Sequence, residues 1–117
     1  MTDYKQWIVW QKSMDLVTSV YGITGDFPKS ELYSLASQMQ RAAVSIPSNI
    51  AEGYARINPK DKHHFYVISF ASSKEPETQL EIARRLKYLD ETSFARCSAL
   101  LLEVVKLLSK MVFRKLE

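Results

Sequence analysis

The stretch VSIPSNIAEGYAR, residues 44–56, sets a proline, two serines and an asparagine inside an otherwise helical pattern. Met39, Ala42, Ile46, Ile50 and Gly53 hold a single phase across Pro47, which a loop would usually lose. Proline in a helix interior removes a hydrogen bond and clashes with the preceding turn, at about 3 kcal/mol in an unsupported helix. The pattern therefore predicts one long helix bent at Pro47, spanning 31–56. The Ala43 carbonyl loses its donor there, and Ser45, Ser48 or a water is expected to serve the backbone groups freed nearby. Asn49 lies at the edge of the apolar stripe, where one amide lowers stability but fixes packing register. Ala42 and Gly53 lack bulk and admit a neighbouring helix. The opposite side presents Arg41, Ser45, Ser48, Glu52 and Arg56, a solvated face or the contact face of another subunit. A bend with a registering amide is the favoured reading, subunit contact is compatible with it, and a catalytic or small-ligand site is the residual one.

Three further stripes follow the same rhythm. Trp7, Trp10, Met14, Val17 and Tyr21 mark a first amphipathic helix, widened by Leu16 and Val20. Gly22 and Gly25 favour its end, and Pro28 with Ser30 prepares the next start. The second helix adds Leu32 and Leu35 to the face above. The third opens at "NPKD", with Asn58 as N-cap, Pro59 at the first helical position and Asp61 near the positive end of the dipole. Its stripe is Phe65, Ile68, Ser72, Pro76, Gln79, Leu80, Ala83 and Leu86. Asp90 is expected to cap the fourth, whose stripe is Phe94, Cys97, Leu101, Val104, Leu108 and Met111. Four helices with short connections predict an all-α, antiparallel up-down-up-down four-helix bundle, one domain over residues 1–117.

The sequence offers little for catalysis. No Glu-x-x-His pair suits a diiron bundle, and adjacent His63 and His64 point about 100° apart, so they cannot share an ion as an i,i+4 pair does. Phosphate-cradling glycine loops and nucleophile elbows are missing from the sequence. A single cysteine, Cys97, excludes an intrachain disulfide and fits a reducing compartment. The opening "MTDYKQWIVWQK" does not read as a secretory leader and no stretch approaches 18 apolar residues, so a cytoplasmic protein without a membrane span is expected. Neither a metal nor a cofactor is expected, and the reading is non-enzymatic.

Charge is the remaining lead. Residues 1–58 balance five Lys/Arg against five Asp/Glu, whereas residues 59–117 carry eleven against eight. Three clusters stand out: Arg84, Arg85 and Lys87 closing the third helix; Lys106, Lys110 and Arg114 at i, i+4, i+8 on the fourth, where Glu103 can pair with Lys106; and Arg56, Lys60 and Lys62 at the connection between helices two and three. One subunit holds few cations for tight phosphate binding, but a ring would repeat each cluster and release counterions in proportion.

The segment "SQMQRAAVSIPSNIAEGYAR", preceded by "FPKSELYSL" and followed by "ETQLEIARRLKYL", together with Trp10 and Lys12, resembles the four-helix-bundle family named for the 23S rRNA intervening-sequence protein. Its relatives include the accessory variability protein of diversity-generating retroelements. The resemblance covers nearly the whole chain. It implies an antiparallel bundle, a barrel-like homopentamer with a basic surface, and a role in binding RNA or DNA or as accessory to a reverse transcriptase. The alternative is a protein-protein scaffold that docks such an enzyme, with no direct nucleic-acid function. One departure stands out: "SSKEPETQL" puts Pro76 where the family has an apolar helix former, so the third helix is expected to kink near residues 72–76 or to break there. A pairing of Asn49 with Gln79 depends on that local geometry.

Overall fold

Side-chain caps fix where the later helices begin. In the computed structural model, which describes residues 3–113, Asn58 accepts a hydrogen bond from the Lys60 N–H at 2.8 Å, and Pro59 takes the first helical position after it. Asp90 accepts from the Ser93 N–H at 2.7 Å and starts the last helix. Among the described residues there are five α-helices: α1 (Ile8–Thr24), α2 (Leu35–Ala55), α3 (Pro59–Ser72), α4 (Lys74–Arg85) and α5 (Glu91–Phe113). Short 3-10 turns occupy Tyr4–Gln6 and Lys29–Glu31. Helices α3 and α4 meet at Ser73 and form the third of four arms that pack into a bundle of 44 × 26 × 22 Å.

Helix α2 runs through Pro47 without a break in its helical assignment. Three side-chain donors gather on the carbonyls around the one that the proline deprives. Ser45 Oγ donates to the Ala42 carbonyl at 3.0 Å, Asn49 Nδ2 to the Ser45 carbonyl at 2.7 Å, and Ser69 Oγ of α3 to the Ile46 carbonyl at 2.9 Å. The last bond joins two helices and is buried. A buried, satisfied hydrogen bond of this kind contributes about 1 kcal/mol; the other two are half-buried, and all three flank the Ala43 carbonyl without replacing its lost donor.

The third arm breaks at Ser73, and the reason lies three residues on. A break there puts Pro76 in the first turn of α4, where backbone N–H groups have no intrahelical acceptor and a missing one costs little. Pro76 is itself buried. Ser73 is buried too, and its hydroxyl donates to the Phe70 carbonyl.

The core gathers Leu16 and Val20 from α1, Met39, Ile46 and Ile50 from α2, Leu80 and Ala83 from α4, and Leu101, Val104 and Leu108 from α5. Three stripes differ from the sequence expectation; in the third arm Ser69, not Ile68 or Ser72, is the buried residue of α3, and Leu86 is exposed. In α1 the buried line is Val9, Ser13, Leu16, Val20 and Thr24, while Met14 and Tyr21 are exposed. Ser13 and Thr24 are admitted because each hydroxyl donates back to the carbonyl four residues earlier, Val9 and Val20 respectively, and so enters the interior with its donor satisfied. In the second arm the α-helix starts at Leu35, not near residue 31, and Leu32 is exposed. Glu31 explains the later start: its Oε1 accepts from the Leu35 N–H at 3.2 Å. Its Oε2 accepts from the Tyr88 hydroxyl at 2.9 Å.

At the far end of α2, Gly53 faces the ring of Tyr66 on α3. A Cβ added there would lie 2.6 Å from Tyr66 Cε1 and 3.2 Å from the Lys62 carbonyl. Gly53→Ala gains helix propensity but forces the ring aside, and a net loss of about 1 kcal/mol is expected in chemical denaturation. At the end of α4, the Tyr88 N–H donates to the Ala83 carbonyl at 2.9 Å and the Lys87 N–H to Arg84 at 3.0 Å. This Schellman pattern puts Lys87 at φ 63, the left-handed region. Lys87→Gly relieves that conformation, and a gain of about 0.5–1 kcal/mol is expected in the same measurement.

Candidate nucleic-acid interface and the Pro47 face

The basic cluster closing α4 is already paired. Arg84 Nε lies 3.2 Å from Glu91 Oε2 at the start of α5, and its Nη1 lies 3.3 Å from Glu81 Oε1. Arg85 Nε lies 2.9 Å from Glu81 Oε2. The Arg84 guanidinium also stacks over the Phe94 ring, 4.9 Å from its centroid. These contacts show in the titration of the groups. The Arg85 hydrogen bond, followed by those of Arg84, holds the Glu81 carboxyl below the usual carboxylate range. Glu91 and then Glu81 raise Arg84 above its ordinary value. A phosphate arriving here must displace two carboxylates. Lys87 is exposed and makes no ion pair among the described residues.

The cluster at the α2–α3 connection is engaged in a different way. Arg56 pairs with Glu52 one turn earlier at 2.9 Å and lies 4.6 Å above the Phe65 ring. Lys62 Nζ donates to the Tyr54 carbonyl at 2.8 Å, meeting the negative end of α2. Only Lys60 of this trio is exposed without an ion pair among the described residues.

Helix α5 carries the most open cations. Lys106 and Lys110 are exposed one turn apart, and neither forms an ion pair among the described residues. Glu103, expected to pair with Lys106, instead bridges to Lys12 on α1 at 3.5 Å. Arg114, the third member of that row, lies outside the described residues.

The Pro47 face opens onto a cleft of about 410 Å³ between α2 and the junction of α3 and α4. Arg41, Ser45 and Asn49 line one wall, and Ser72, Glu75 and Gln79 the other. Asn49 donates to its own helix, so the expected pairing with Gln79 is not formed. Gln79 is only 9% exposed, and its Oε1 is buried with no hydrogen-bond partner. Sequence reasoning placed Gln79 on the stripe but gave no sign of this orphan. Arg41, Ser48 and Glu52 are exposed; Pro47 and Gly53 are buried.

Burial pushes the Cys97 thiol up, away from nucleophilic character. Among the described residues no group of His, Cys, Asp or Glu is arranged to hold a metal ion, and no helix is long and apolar enough to cross a membrane.

A family model described as 23S rRNA-intervening sequence protein matches residues 5–110. Among solved structures, the chain is similar to a protein of unknown function from the S23 ribosomal protein family of Bacteroides thetaiotaomicron VPI-5482. The TM-score is 0.80, covering 90% of this chain and 98% of that one at 21% identity. At that identity the likeness establishes the fold alone. No curated protein matches the chain.

The Glu81 pairing gives a pH-dependent contribution of defined sign. A carboxyl held below its unfolded value stabilises the fold above that unfolded value, and the contribution is lost as pH falls through the folded one. Thermal melts of the parent and of Glu81→Gln should therefore differ at neutral pH, with the parent the more stable. The gap should close in acid, below the ordinary carboxylate range.

Proposed function

We propose, from the premise that the chain belongs to the 23S rRNA-intervening sequence protein family, that it is a non-catalytic accessory protein that assembles as a homo-oligomer and binds RNA or DNA electrostatically. The observation that carries this reading is the exposed pair Lys106 and Lys110 on α5, without a carboxylate partner among the described residues. Side chains one turn apart on a helix stand about 6 Å from each other, so the two present a compact site of charge 2+. Lys60 and Lys87 add exposed charge, and Arg114 continues the row in sequence. A single chain neutralises few phosphates. A homopentamer would repeat the row five times, and binding strength grows with the number of counterions released. No base-reading module is involved, so the binding is sequence-tolerant.

In this reading the four arms run alternately up and down, α2 bends at Pro47, and its outer residues Arg41, Ser48 and Glu52 meet a sister chain. The ion pairs at Arg84 and Arg85 favour a second reading, a scaffold that docks a partner enzyme such as a reverse transcriptase. Neutralised, hydrogen-bonded arginines suit a protein contact better than a phosphate backbone.

Salt decides between the two. Lys106→Glu with Lys110→Glu should weaken binding to structured RNA and to DNA at low salt. It should also flatten the dependence of log K on log salt by roughly 0.7–0.9 for each phosphate that is no longer neutralised. Arg84→Glu with Arg85→Glu should lower the melting temperature and change binding much less. Light scattering on the same samples reads the assembly, expected at five chains. Binding that resists high salt, or is indifferent to the lysine change, sinks the nucleic-acid reading and leaves the scaffold.

A further inference from the structure

The cleft beside Pro47 sets polar side chains of α2 against Glu75 and Gln79 of α4. Ser45 and Asn49 both commit a donor to backbone carbonyls of α2. That leaves the lone pairs of Ser45 Oγ and of Asn49 Oδ1, and one remaining amide N–H of Asn49, without a partner in the helix. Across from them stand the Glu75 carboxylate and Gln79, whose Oε1 is covered and unpaired. Glu75 and Gln79 are four residues apart on α4, hence on one face. At the rim, Arg41 brings a guanidinium that makes no ion pair among the described residues, and neither does Glu75. An unpaired carboxylate beside an unpaired acceptor, with a guanidinium at the rim, fits a molecule with donors at one end and negative charge at the other.

We propose that this cleft binds a small zwitterion, a molecule carrying an ammonium or guanidinium group together with a carboxylate. The cationic end lies between Glu75, Gln79 Oε1 and Asn49 Oδ1, and the carboxylate meets Arg41. With the cleft empty, Gln79 Oε1 is covered and unpaired. The terminal torsion of a glutamine side chain is soft, so its amide turns outward to receive the donor. The empty form bears the cost of an unpaired buried acceptor, and a ligand that supplies the missing donor removes it. The site is independent of the lysines on α5; it shares Arg41 with the face proposed to meet a sister chain, and light scattering of Arg41→Ala separates loss of assembly from loss of the ligand.

The test is a titration of the 15N-labelled full chain with free arginine, with agmatine, which lacks the carboxylate, and with glutarate, which lacks the ammonium. Arginine is expected to shift the Gln79 side-chain amide resonances, and agmatine to bind about tenfold more weakly, the worth of one charge-assisted contact. Arg41→Ala, on an exposed residue, should erase the difference between arginine and agmatine. Gln79→Met should abolish binding and raise the melting temperature of the empty protein, because the orphan is gone. Gln79→Glu should bind both cationic probes more tightly. The proposal is overturned if no probe moves the Gln79 amide, which would mean that water alone serves the cleft. It is equally overturned if Gln79→Met binds arginine unchanged or melts below the parent, or if glutarate, which lacks the ammonium, binds as well as arginine.

Discussion

A proline held inside a helix is the constraint on which the arrangement turns. Pro47 removes a donor from the interior of α2, and the sequence around it is organised to contain the damage. Two residues of α2 itself, Ser45 and Asn49, donate to carbonyls on either side. A third donor, Ser69, comes from α3 and reaches the Ile46 carbonyl in the buried space between the helices. That bond also fixes how α3 lies on α2. Gly53, two turns on, lets the Tyr66 ring sit against the backbone of α2. The close approach of these two helices thus has a polar pin near its middle and a bare backbone near its end.

Electrostatics follow a different logic from the one that charge counting suggests. The excess of cations in the second half of the chain is real in sequence, yet several of those cations serve the fold. Arg84 ties α4 to the start of α5 through Glu91, and Lys62 meets the end of α2. Such exposed pairs contribute little stability each, but they remove charge from the surface that an anion would sense. What remains open is concentrated on α5, on a face that Lys12 and Glu103 join to α1.

Local signals in the sequence were legible wherever one residue acts on its neighbours. The Asn58 cap, Pro59 at the helix start and the Asp90 cap all depend on bonds spanning two or three residues. The helical phase across Pro47 was legible for the same reason. The fate of Pro76 was half legible: the sequence places the disturbance, and only the packing decides that it becomes a break at Ser73. What stayed hidden depends on tertiary contacts or on the side chain's own backbone. Ser13 and Thr24 look polar in sequence and are buried, because each hydroxyl folds back onto its own turn. The tie from Arg84 to Glu91 was hidden, because Glu91 reaches it only once α4 and α5 have packed. The cleft beside Pro47 was invisible because it exists only once α4 stands opposite α2.

Glu31 has a wider reach than its place in a short turn implies. One of its oxygens starts α2 and the other receives the hydroxyl of a tyrosine 57 residues further along. The connection between α1 and α2 and the connection between α4 and α5 are therefore latched by one carboxylate. Loops at a bundle's end ordinarily fray separately and at little cost. Here neither can loosen without releasing the other, so amide exchange in the two should rise and fall together as one opening unit.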